Sequence, residues 1–195
     1  GTGSGWVARN FNDVSKLNTA EASQIAIEKA LQSRNAKAIE PGKYTVILEP
    51  NAASDLLSLM LNFNARQADE GRSFLSKKGG GTKLGEKLVD ERVNIYTDPW
   101  NEEVPTANQA GGLPRKRMDL IKGGVVSNLF YDRYWAQQKG VEPTPFPGNR
   151  IMEGGNASIE DMIKDTKKGV LVTRFWYIRA VDPQTLLYTG LTRDG

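Results

Sequence analysis

Apolar and polar residues follow two different periods along this chain, and the clearest run of each meets in residues 43–63. Tyr44-Thr45-Val46-Ile47-Leu48 reads as a strand. Glu49-Pro50-Asn51 breaks it, because proline keeps the residue before it extended. A helix is predicted from 52 to 63, with Asn51 as its cap and Asp55 in the first turn, where the macrodipole favours an acid. Ala53, Leu56, Leu57, Met60 and Leu61 recur at helical spacing and predict a face turned to the core.

The same patterning places the other elements. Residues 19–34 form an amphipathic helix capped by Asn18 or Thr19, with Ala22, Ile25, Ala26, Lys29 and Ala30 on one side. Residues 93–97 alternate as a strand bounded by Asp98-Pro99. Gly123-Gly124 joins strands over 118–122 and 125–131 in a hairpin, and a short helix follows over 131–140. Ser158-Ile159-Glu160-Asp161 is a capping box opening a helix over 158–168, with Gly169 as its stop. A long strand over 170–179 turns at Asp182-Pro183 and pairs with 186–191. Two predicted hairpins without regular βαβ alternation make this an α+β fold, mostly antiparallel β with a few packed helices.

Residues 64–91, rich in glycine and lysine, read as a mobile surface loop. Its centre, Ser76-Lys77-Lys78-Gly79-Gly80-Gly81-Thr82-Lys83, resembles a phosphate loop, but Gly80 to Gly85 is followed by Glu86 and the pattern fails. The opening Gly1-Thr2-Gly3-Ser4-Gly5 has the wrong spacing for a dinucleotide site and reads as a flexible turn.

Composition narrows the chemistry. The 195 residues carry a net charge of +3, with basic residues spread out, so charge gives no reason to expect nucleic acid. There is no cysteine and no histidine, which removes the thiol nucleophile, the thiolate site, the usual general base and the usual zinc ligand. No apolar run approaches the ~20 residues that span a bilayer, so a cytoplasmic protein without membrane partners is expected. Glu160, Asp161 and Asp165 fit dipole compensation and solvation better than a hard-cation site. Asp69, Glu70, Glu86, Asp90 and Glu91 flank the glycine loop without calcium-loop spacing. No S-x-x-K occurs. The residues alone give a soluble mixed domain without a self-sufficient active site and without a cofactor of its own.

Several separated blocks resemble the TldD/PmbA peptidase family, also called modulators of DNA gyrase. They are Pro41-Gly42-Lys43-Tyr44-Thr45-Val46-Ile47-Leu48-Glu49-Pro50, then Arg72-Ser73-Phe74-Leu75, then Gly85-Glu86-Lys87-Leu88. A last block runs from Gly154-Gly155-Asn156-Ala157-Ser158 through Leu171-Val172-Thr173-Arg174-Phe175-Trp176 to Val181-Asp182-Pro183. The resemblance implies the end of the family's central domain over 1–40 and part of its C-terminal β-rich domain over 41–195, cut at both ends. In TldD-type subunits the helix after the central strand carries H-E-x-x-x-H, two zinc ligands and a base. Here those places fall on Ser58, Leu59 and Phe63, whose hydroxyl, isobutyl and phenyl groups cannot do that work. The resemblance therefore implies a TldE/PmbA-type subunit, not catalytic alone, that acts on unfolded peptides with a zinc-bearing TldD-type partner or as a homodimer. Two other readings stay open: a peptide-binding or scaffold module that holds an extended peptide against a sheet edge, and a peptidase with an unrecognised site.

Overall fold

The computed structural model describes residues 3–60 and 62–194. Gly1 and Thr2 of the glycine-rich opening, and Leu61 of the predicted helical face, lie outside the described residues. In chain order the elements are α1 (Thr19–Gln32), β1 (Thr45–Leu48), α2 (Pro50–Met60), α3 (Ala65–Asp69), β2 (Ile95–Thr97), β3 (Gln109–Ala110), β4 (Leu113–Pro114) and β5 (Met118–Lys122). Then come β6 (Val125–Val126), α4 (Arg133–Lys139), β7 (Ile151–Met152), α5 (Ile159–Asp165), β8 (Gly169–Val172), β9 (Arg174–Asp182) and β10 (Leu187–Asp194). The fold is α+β with mostly antiparallel sheets, as the patterning predicts.

The chain forms two compact units. The first takes in the chain through α2, Asn156–Val181 and the strand from Tyr188; the second is Asn62–Gly155 with Asp182–Leu187.

In the first unit β1 and β8 pair in parallel, with Thr45 opposite Gly169 and Leu48 opposite Val172. The pairing needs glycine at 169, since a Cβ there would lie 2.8 Å from the Thr45 carbonyl oxygen. Gly169 thus begins a strand instead of stopping α5, which ends earlier, at Asp165. Its capping box forms as expected between Ser158 and Asp161. The long strand expected over 170–179 divides at Thr173, because β8 pairs with β1 while β9 pairs with β10.

The junction after β1 also differs from expectation. The Glu49 carbonyl accepts the Ala53 N–H at 2.9 Å, so the helix starts at Pro50, where a missing N–H costs nothing. Asn51 is inside the helix and donates to the Ala8 carbonyl instead of capping. Asp55 falls beyond the first turn, which contains no acid. The Glu49 carboxylate accepts from Lys29 Nζ at 2.6 Å, joining α1 to this junction. The described part of the glycine opening is no free turn: a Cβ on Gly5 would sit 2.0 Å from the Ala26 carbonyl oxygen, so Gly3 to Gly5 lie directly on α1.

The second unit is organised around the sheet β6-β5-β2-β7. Gly123 and Gly124 have φ of 56° and 76°, the left-handed geometry a two-residue hairpin requires. The second strand is shorter than predicted: beyond Val126 the chain leaves the ladder and buries Leu129 and Phe130. Residues 64–91 are not one loop. They begin with α3, bury Ser73, Phe74 and Leu75, and then run through exposed turns that include Gly79-Gly80-Gly81. Arg72-Ser73-Phe74-Leu75 is therefore a packing motif. Phe63 belongs to this core, buried and edge-on to Phe74 at 6.2 Å.

Candidate functional site

On α2 the residues Asp55, Ser58 and Leu59 stand at i, i+3 and i+4, which places them on one side of the helix. Facing them within the first unit is β9. Together Asp55, Ser58, Leu59 and residues Phe175-Trp176-Tyr177-Ile178 line a groove of about 290 Å³. Consecutive strand residues point to opposite faces, so four in a row along one groove mean that the strand's edge borders it. Tyr177 has φ of 53°, an unusual conformation for a bulky residue and the point where strict alternation fails. Tyr188 fixes the far end of the helix, its hydroxyl donating to the Leu59 carbonyl at 2.9 Å. That carbonyl is among the last four of α2, which have no partner inside the helix. Burial pushes the Tyr188 phenol up, which keeps it a donor.

The aromatic wall is braced by arginines. Arg174 lies 4.3 Å from the Trp6 ring and 4.9 Å from the Trp176 ring, and Arg179 lies 5.2 Å from that of Tyr177. Trp176 and Tyr177 meet at 5.6 Å.

Among the described residues the groove offers one carboxylate, the hydroxyls of Ser58 and Tyr177, and an otherwise largely apolar surround. Ser58 has no imidazole to activate it anywhere in the chain. A zinc ion at the degenerate motif positions does not fit. Ser58 and Leu59 are on α2 and line the groove, but Phe63 follows the helix and is buried in the second unit. A hydroxyl and one carboxylate do not make a zinc donor set. Among the described residues no three acids, histidines or cysteines come together as a metal site.

Several of the other acids singled out by the sequence have structural partners. Asp161 belongs to the cap, and its hydrogen bonds with the Ser158 hydroxyl and backbone hold its carboxyl below the usual range. Asp69 accepts from Trp135 Nε1 at 2.9 Å and pairs with Lys139 at 3.1 Å. Glu70 pairs with Arg66 and Arg72, Glu86 with Lys77, Asp90 with Arg92 and Glu91 with Lys87. Arg92 holds the Asp90 carboxyl down at about 2.

A larger cavity of about 520 Å³ lies at the start of α2 in the same unit, lined by Glu28, Lys29, Glu49 and Asn51 among others. Lys29 and Glu49 pair with each other there, and neither Ser58 nor Leu59 lines it, so the smaller groove is the better candidate. The sequence places 170–179 on a strand and Phe175-Trp176 in a block of the resemblance, but nothing local in it assigns this wall to a groove.

The C-terminal domain of the PmbA/TldA metallopeptidases matches residues 41–195. The chain is 25% identical over 176 residues to a metalloprotease of Methanothermobacter thermautotrophicus, covering 82% of this chain and 37% of that protein. It is 24% identical to a metalloprotease of Methanocaldococcus jannaschii, covering 75% of this chain and 35% of the relative. The chain thus spans little more than a third of the curated relatives it matches. A crystal structure described as a modulator of DNA gyrase, from Bacteroides thetaiotaomicron, superposes with a TM-score of 0.75 at 27% identity, over 88% of this chain and 39% of that one. TldE from Thermococcus kodakarensis has the same fold, with a TM-score of 0.70 at 22% identity over 82% of this chain and 39% of its own.

Proposed function

We propose, from the premise that this chain belongs to the PmbA/TldD metallopeptidase family, that it is a non-metal TldE/PmbA-like subunit of a peptidase acting on unfolded peptides. In this reading residues 1–40 end the family's central domain and 41–195 form part of its C-terminal domain. The active-site helix persists as α2 with its chemistry lost, and it lines a channel for peptide. The carrying observation is that Ser58 and Leu59, two of the three motif positions, face a groove walled by the β9 edge. Catalysis then belongs to a metal-bearing TldD-type partner in the cytoplasm, while this chain binds and orients the peptide without a cofactor of its own.

The β9 edge also favours a second reading, a peptide-binding or scaffold module with no peptidase role. An extended peptide can pair its backbone with such an edge and place alternate side chains in the groove. One assay separates the two. The full-length protein and a relative carrying H-E-x-x-x-H are tested separately and mixed, on an unfolded peptide, with and without chelator. The subunit reading expects no cleavage by this protein alone and chelator-sensitive cleavage that rises on mixing. Cleavage by this protein alone, with contaminating peptidase excluded, overturns it. No gain on mixing favours the scaffold.

A further inference from the structure

The groove carries a charge that no described residue pairs with. Asp55 is exposed, lies past the first turn of α2 and so has little of the macrodipole to compensate, and makes no ion pair or hydrogen bond among the described residues. Among the described residues it is the sole carboxylate lining the groove. Opposite it stand Trp176 and Tyr177, rings that already hold the guanidinium groups of Arg174 and Arg179 nearby.

One unpaired carboxylate, Leu59 beside it and aromatic rings across from it match a particular kind of side chain. Lysine and arginine lay an apolar stem along such a surface while the charged head meets an acid or a ring face. We infer that the groove takes a basic side chain of an unfolded peptide, its cation at Asp55 and its stem between Leu59 and the β9 wall. The inference rests on the groove being a peptide site and adds which residue it selects. An acidic side chain at the same place meets the Asp55 carboxylate and is disfavoured.

The test uses the full-length protein and three labelled unfolded peptides that differ at one central residue, lysine, glutamine or glutamate. Binding is read by fluorescence anisotropy at low salt. The lysine peptide is expected to bind about three- to tenfold tighter than the glutamine peptide, and the glutamate peptide weakest. The preference shrinks in high salt, because an exposed pair is screened. Asp55→Asn brings the lysine peptide to the glutamine level with unchanged circular dichroism, and Glu103→Gln, exposed in the second unit, leaves the preference intact. Equal binding of all three peptides overturns the inference while the peptide site stands. A lysine preference that survives Asp55→Asn overturns the role of Asp55. No binding of any peptide overturns both the inference and the groove reading.

Discussion

The two units bury very different amounts of apolar surface, and the groove belongs to the one that buries less. The largest fully buried side chains, Phe63, Leu75, Leu120, Leu129, Val126 and Pro99, are all in the second unit. In the first, Ile47, Ala52 and Val172 are buried, α1 and α5 bury no residue, and Leu56 and Leu57 on α2 are half-buried. Capping, the Lys29–Glu49 pair and a four-residue parallel ladder do more of the holding there. Such a region opens locally at lower free-energy cost than a packed core. A surface that must admit an extended chain is suited to that balance, whereas the second unit has the packing of a scaffold.

The sharpest way to break this contrast is to cut the same side chain from each unit. Leu120→Ala should destabilise the second unit by about 2–5 kcal/mol, the usual cost of a cavity in a closed core. Leu57→Ala should cost the first about 1–2 kcal/mol, because less surface is removed from solvent there. Hydrogen exchange during denaturation reads each unit by itself. Equal costs would erase the difference between them.

A smaller effect tests what holds the groove. Tyr188→Phe removes the hydroxyl that satisfies the Leu59 carbonyl and should cost about 1 kcal/mol. The loss should show as faster exchange at the end of α2 with β2 unchanged. Faster exchange spread through β2 would contradict a local role.

The smallest concerns acid. The Asp161 carboxyl is held below its usual range by Ser158, so the folded form favours the ionised state. Its contribution is complete above the ordinary carboxylate range and is lost as pH falls through the depressed value. Carboxyl carbon shifts should place Asp161 below an unstructured aspartate, and Ser158→Ala should return it toward that value. An Asp161 titration that ignores the substitution would remove the cap from the account.

Local rules made much of this fold legible. The Asn18 cap, the capping box at Ser158 and the glycine pair at 123–124 rest on hydrogen bonds within a few residues, and the sequence carries them plainly. What escaped was decided by distant partners. The Glu49 carbonyl and Pro50 moved the start of α2 ahead of Asn51, a good cap left unused. The break at Thr173 follows from β8 pairing with β1 more than a hundred positions earlier, which no local pattern encodes. Residues 64–91 looked like loop because glycine and lysine mask the buried Ser73-Phe74-Leu75 at their centre. At the groove, Ser58 and Leu59 could be placed on the helix from spacing alone, but the β9 wall required the fold. Phe63 looked like a motif position and sits in the other unit's core.

The central claim is that the sparsely buried first unit, not the packed second one, receives peptide. Hydrogen exchange of the full-length protein with and without a saturating unfolded peptide tests it most directly. The account predicts slowed exchange along β9, centred on 175–178, and at the end of α2, with β5 and β2 unaffected. Protection confined to the second unit, or none while peptide is bound, would contradict it.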